Sequence, residues 1–188
     1  MPAIALDLDR VLFDTNRYMD ILRERLRLKG LSFDAVANRS AVFGRKDLTN
    51  MVRVVAEQIG KSEAEALFFT DILHLWEGGA AGVFSQIREK FEKVFVVTVG
   101  DGYQSRKISG LDIDGIFVVS NDNEKVNIAS ALHQKYPDLV FVDDKAEVIS
   151  RMSECGIRGF QACWFLDEAH QSNALPNRLT RPEELLEL

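Results

Sequence analysis

Two carboxylates, Asp7 and Asp9, close a short apolar run, Ala3-Ile4-Ala5-Leu6, with only Leu8 between them. If the run is a strand, side chains alternate and the two acids share one face. Carboxylates converging at the end of a buried strand are costly to leave unpaired. A divalent cation resolves that cost. One acid can then attack while the other moves a proton. The bland alternative is a strand that ends in acidic loop residues, and three later segments weigh against it.

Those segments follow from the elements that would carry them. Near-continuous apolar runs recur at Ala3–Leu6, Val94–Val97, Ile116–Val119, Leu139–Val142 and Phe160–Phe165. Such runs suit strands buried on both faces. Helical patterns lie between them, at Val83–Phe91, Tyr103–Ile108, Lys125–Tyr136 and Ala146–Cys155, with Gly156 placed to stop the last. The expected fold is α/β, a Rossmann-like parallel sheet flanked by helices.

The interval between the first two strands is far longer than a crossover needs. Met19, Leu22 and Leu26 mark one helix ending at Gly30, and Leu48 to Ile59 a second ending at Gly60. Ser62-Glu-Ala-Glu65 reads as a capping box opening a third helix through Trp76. Residues 16–79 are therefore expected to form an inserted helical cap on a core of 1–15 and 80–188. Hinges are expected near Thr15 and Gly78–Gly82. Gln171 to Arg181 reads as loop, followed by a short helix Glu183–Leu188.

Ligands of an open parallel sheet bind beyond the C-terminal strand ends. There the chain places Asp7 and Asp9, then Thr98 before Val99-Gly100-Asp101-Gly102, then Ser120 to Lys125, then Asp143-Asp144. Each residue type serves phosphoryl transfer. A carboxylate can attack phosphorus and form an acyl phosphate. Mg²⁺ offsets the repulsion between carboxylate and phosphate while taking only one or two protein carboxylates. Thr98 and the adjacent N–H groups, Val99 included, can bind phosphate oxygens. Lys125 supplies a point charge. Asp9 can protonate the leaving oxygen and then activate water.

This ordered set resembles the haloacid dehalogenase-like superfamily of phosphohydrolases. Asp7-Leu-Asp9-Arg-Val-Leu-Phe-Asp14-Thr15 looks like its first motif and Val96-Val-Thr98 like its second. Lys125, after Val118-Val-Ser120, looks like the third, and Val140-Phe-Val-Asp143-Asp144 like the fourth. The resemblance covers 1–15 and about 80–165, and the insertion is similar to the family's helical cap. It implies Asp7 as nucleophile and Asp9 as general acid/base. It implies the Asp7 carboxylate, the Asp9 carbonyl and Asp144 as metal ligands, with Asp143 a second or outer ligand. It implies Thr98 and Lys125 at the phosphate.

Two positions depart from the pattern. Arg10 stands where the family usually has Gly, and can contact substrate phosphate or pair with an acid. Val148 stands where many members have a further Asp, which implies a leaner metal site. In the cap, Phe43-Gly44-Arg45-Lys46 resembles a substrate-facing loop, where Arg45 or Lys46 can hold a second anionic group; an ordinary polar turn is the other reading. His74, His133 and His170 show no ligand spacing, and Trp76 and Trp164 read as packing residues.

Composition narrows the partners. The chain has 188 residues, 46% hydrophobic and 28% charged, enough to bury a full core. Net charge is −6, which argues against nucleic acid as the main partner. Residues 16–48 are nonetheless basic, with eight Arg and Lys against four Asp and Glu. Such a segment can steer a small anion or simply form a solvated helix face. No run approaches a membrane span, and no basic region precedes an apolar leader. Cys155 and Cys163 read as reduced core residues. The expectation is a cytoplasmic, Mg²⁺-dependent phosphatase acting on a small phosphorylated metabolite. Alternatives are a non-catalytic phosphometabolite-binding regulator, or a phosphomutase or dehalogenase of the same superfamily.

Overall fold

A computed structural model describes residues 2–41, 47–72, 75, 79–108, 110–166 and 175–188. Among them six parallel strands form one sheet: β1 (Ala3–Leu6), β2 (Lys93–Val99), β3 (Gly115–Val119), β4 (Leu139–Asp143), β5 (Arg158–Ala162) and β6 (Arg178–Leu179), in the order β3-β2-β1-β4-β5-β6. The helices are α1 (Thr15–Leu28), α2 (Phe33–Ala41), α3 (Leu48–Ile59), α4 (Lys61–Phe69), α5 (Phe84–Lys90), α6 (Asp122–Lys135) and α7 (Ala146–Glu154). The α/β fold with a parallel sheet is as expected. Among the described residues no helix is long and apolar enough to cross a membrane.

Strand alternation splits the core into two layers. Ile4, Leu6, Val94, Val96, Val140 and Val142 pack on one face with Leu22, Val55 and Ile87 from the inserted helices and α5. Ala3, Ala5, Phe95, Val97 and Phe141 pack on the other with Val126 and Ala129 of α6 and Ile149 and Met152 of α7. Each fully buried aliphatic side chain contributes about 1.5–3 kcal/mol, so both layers must form for the sheet to persist.

Local signals account for most helix ends. Asp14 caps α1 by accepting the Arg17 N–H at 3.0 Å, and Asp47 caps α3 by accepting the Asn50 N–H at 2.8 Å. Gly156 stops α7 with φ of 75°, a left-handed value that glycine adopts freely.

Several boundaries differ from expectation. β2 runs on through Thr98 and Val99, and β5 ends at Ala162 rather than Phe165. The tail contributes β6, because Gln161 and Ala162 offer an open edge to Arg178 and Leu179. Pro182–Glu187 is a 3-10 turn. The interval 16–79 holds α2 as well as the helices expected there, and the helix expected to run through Trp76 ends at Phe69. The Ser62–Glu65 capping box does not form. Gly60 is the N-cap, so Ser62 lies inside α4, and Glu65 instead meets Tyr103 and Arg106. Cys155 is exposed, against expectation, because it is the C-cap of α7; Cys163 is buried. Trp164 packs as expected, its Nε1 donating to the Val11 carbonyl at 3.1 Å. His74, Trp76, Gly78 and His170 lie outside the described residues.

Candidate active site

The register of β1 decides where its acids go. Leu6 pairs with Val96 on one side and Val142 on the other, and the Asp7 N–H continues the ladder to the Val142 carbonyl at 2.8 Å. Asp7 and Asp143 follow Ala5 and Phe141, which face α6. Both acids therefore meet Lys125 in the first turn of that helix. Its Nζ lies 3.0 Å from Asp7 Oδ2 and 2.7 Å from Asp143 Oδ2, and Lys125 is 1% exposed. Helix α6 starts at Asp122 rather than at Lys125, because Asn121 caps it through the Glu124 N–H at 3.0 Å.

Asp7, Asp143 and Asp144 form a buried cluster in which one oxygen from each lies within 4.8 Å of the others. Burial pushes the Asp7 carboxyl up to about 7, helped by the neighbouring Asp143 and Asp9 charges and opposed by Lys125. Asp143 and Asp144 are also raised, mainly by burial. Lys125 is held above its ordinary value: burial opposes its charge, but Asp7 and Asp143 outweigh that. Lys125 pairs with Asp7 and Asp143 and Arg10 with Asp144, so two cations face three acids. An all-oxygen donor set of this kind suits Mg²⁺. The residues present fit a divalent cation, with Asp7 and Asp144 as holders and Asp143 behind them.

Asp143 is fixed by the Lys145 N–H at 2.9 Å, and the Asp144 carbonyl by Gln161 Nε2 at 3.0 Å. Thr98 is buried, and its Oγ1 has no hydrogen-bond partner among the described residues. A ligand oxygen that reaches this hydroxyl would satisfy it. A cavity of about 210 Å³ gathers Asp7, Asp9, Arg10, Thr98, Val99, Lys125 and Asp144.

Asp9 does not stay on the Asp7 face. β1 ends at Leu6, and the chain turns through Leu8–Phe13 with Arg10 at φ 62°. The Asp9 carboxylate then accepts from Lys107 Nζ at 2.6 Å, Thr15 Oγ1 at 2.6 Å and Gln104 Nε2 at 2.8 Å. Burial works against its charge, but the Lys107 ammonium and these hydrogen bonds hold Asp9 below the usual carboxylate range. The shared strand face inferred from spacing is thus replaced by a shared cavity, with a different lysine on each acid.

Arg10 sits at the left-handed backbone position where a glycine would carry no strain. Of the two roles open to it, the structure shows the ion pair: Nη1 lies 3.2 Å from Asp144 Oδ2. Val148 is buried in the core, so no carboxylate comes from that position. Arg45 and the rest of residues 42–46 lie outside the described residues. Sequence reasoning missed Lys107, Gln104 and Gln161. Gln161 carried a faint signal, a polar residue within an apolar run. Lys107 carried none that separates it from its exposed neighbour Arg106.

No family model and no curated protein matches the chain. Solved structures do. A protein from Burkholderia xenovorans LB400 described as a haloacid dehalogenase-like hydrolase superposes with TM-score 0.68 at 18% identity, over 99% of this chain and 97% of that one. The 2-haloacid dehalogenase of Pseudomonas syringae pv. tomato gives 0.60 at 14% identity, over 100% and 97%. A protein from Lactobacillus plantarum described as a phosphoglycolate phosphatase gives 0.55 at 17% identity, over 100% and 99%. These superpositions show that the chain has the fold of the haloacid dehalogenase-like hydrolases.

Proposed function

We propose that the protein is a Mg²⁺-dependent phosphatase that hydrolyses a small phosphate ester through a phosphoaspartate on Asp7. The observation that carries this reading is the buried Asp7–Lys125–Asp143 chain beside an unpartnered Thr98 Oγ1. That arrangement offers a nucleophile, a cation and a hydroxyl donor around one cavity. Asp7 attacks phosphorus as the bond to the ester oxygen breaks, and protonated Asp9 gives that oxygen its proton so that an alcohol leaves. Thr98 Oγ1 and the Val99 N–H hold phosphate oxygens, while Lys125 orients Asp7 and offsets charge. Ionised Asp9 takes a proton from the water that opens the phosphoaspartate, and returns a proton to the next leaving oxygen. A bound Mg²⁺ would supply charge neutralisation between carboxylate and phosphate.

The three-acid cluster favours this over halide displacement, which needs no cation and is the activity named for the Pseudomonas protein. One observation favours the regulator instead: Arg10 already occupies an oxygen of Asp144. Phosphate release from p-nitrophenyl phosphate with Mg²⁺ separates the two. The expected result is turnover that EDTA removes and Asp7→Asn abolishes. Phosphate-ester binding without turnover in saturating Mg²⁺ would assign the regulator.

A further inference from the structure

Asp9 and Val99 border a second cavity, of about 200 Å³, on the side of the inserted helices. Met19 of α1 and Leu48 and Met51 of α3 supply its apolar wall. With phosphorus at Asp7 and the ester oxygen toward Asp9, the group carried by that oxygen enters this second cavity.

Gln104 marks the junction. It is 6% exposed, and its Nε2 donates to Asp9 Oδ2 at 2.8 Å and to the Val99 carbonyl at 3.2 Å. Two acceptors around Nε2 set the orientation of the amide. Its Oε1 is left buried with no hydrogen-bond partner among the described residues. Gln104 lines the cavity, so a ligand O–H or N–H that reaches Oε1 would satisfy this acceptor.

Charge points the same way. The described lining holds Asp9, Asp47 and Asp101 against Lys107, whose ammonium is already on Asp9. Asp47 Oδ1 accepts from Asn50 N–H, and Asp101 accepts from Thr49 and Tyr103 N–H groups. Their places are therefore fixed, and their charges stay at the cavity. A carboxylate entering here meets like charge, and the one ammonium among the described lining side chains, Lys107, is already paired with Asp9.

We infer that this cavity is a leaving-group subsite for an uncharged or cationic group bearing an O–H or N–H donor. The inference rests on the phosphatase reading above. It differs from the sequence expectation of a second anionic group held at Arg45 or Lys46, which lie outside the described residues.

The test compares kcat/KM of the full chain with Mg²⁺ on four esters of similar size: 2-aminoethyl phosphate, glycerol 1-phosphate, propyl phosphate and phosphoglycolate. The first two are expected to exceed the last two by about tenfold or more, as for a site whose polar group is left unpaired by the wrong ligand. Gln104→Leu narrows the glycerol-to-propyl ratio, and Asp101→Asn narrows the aminoethyl-to-phosphoglycolate ratio. Ratios within one variant are insensitive to partial loss of folded protein. Equal or reversed order in the wild type, or unchanged ratios in both variants, overturns the subsite alone. No turnover of these esters or of p-nitrophenyl phosphate, with Asp7→Asn indistinguishable from wild type, overturns the phosphatase reading and the subsite with it.

Discussion

Lys107 Nζ lies 2.6 Å from Asp9 Oδ1, a contact between residues 98 positions apart in the chain. The lysine is 2% exposed, and its ammonium also stands over the rings of Phe13 and Tyr18. Lys107→Met leaves Asp9 without its cation, with only the Thr15 and Gln104 hydrogen bonds of those described still holding it. On the proposed reading, kcat falls about a hundredfold, the order of a misplaced acid–base group, while KM changes little. Lys107→Arg restores part of kcat. A Lys107→Met enzyme with wild-type kcat would remove Lys107 from the site.

On the proposed reading, Asp144 is one of the acids that would hold the cation. Titrating Mg²⁺ into the wild type is expected to raise Tm, since a ligand at a hundredfold excess over Kd adds about 2.7 kcal/mol. In Asp144→Asn the shift should shrink to near zero, because the cluster of three carboxylates loses a member. Differential scanning calorimetry at several Mg²⁺ concentrations checks this. An undiminished shift in the variant would place the ion elsewhere.

Arg10 combines backbone strain with a contact that competes for Asp144. A non-glycine residue in the left-handed region costs roughly 1–2 kcal/mol, which Arg10→Gly relieves. The added flexibility of glycine in the unfolded chain offsets about 0.5–1 kcal/mol of that gain. Tm should therefore move by only a few degrees. The Mg²⁺ concentration for half-maximal activity should fall, because Asp144 is released. A rise would mean that Arg10 helps build the metal site.

Asp114 governs acid stability away from the site. It accepts from Lys93 at 2.5 Å, from Arg88 at 2.5 Å and from the Val94 N–H at 2.9 Å, joining the loop before β3 to β2. Burial opposes its charge, but these hydrogen bonds and the Arg88 charge lower its pKa to about 2. A carboxyl lowered on folding stabilises the protein above its unfolded pKa. That contribution is lost as pH falls from near 4 toward about 2. Asp114→Asn should lower Tm by a few degrees at pH 6, with the gap closing by pH 2. A gap independent of pH would assign the loss to packing instead.

How much was legible in the chain divides along the range of the interactions. β1 at Ala3–Leu6, the alternation of later strands with helices, and the stop at Gly156 follow from local pattern and read correctly. The four segments singled out in the sequence bring Asp7, Thr98, Lys125 and Asp144 to one cavity, with Asp143 paired to Lys125. A parallel sheet delivers its strand ends to a common edge whatever the intervening helices do. The capping box at Ser62, the reach of β5 and the added β6 were misread or missed, because each is settled by a neighbour distant in sequence or by a one-residue shift.

The partners of the acids belong wholly to the tertiary structure. Spacing put Asp7 and Asp9 on one face, but β1 stops at Leu6 and the turn through Arg10 redirects the second acid. Asp7 then meets Lys125, whereas Asp9 meets Lys107, Gln104 and Thr15. Nothing in Arg106-Lys107 says which cation is buried; docking of the 3-10 turn Gln104–Ile108 decides it. The order of chemical groups along this chain is a property of its sequence. Which charge neutralises which is a property of the packed molecule, because burial and separation set the strength of each pair.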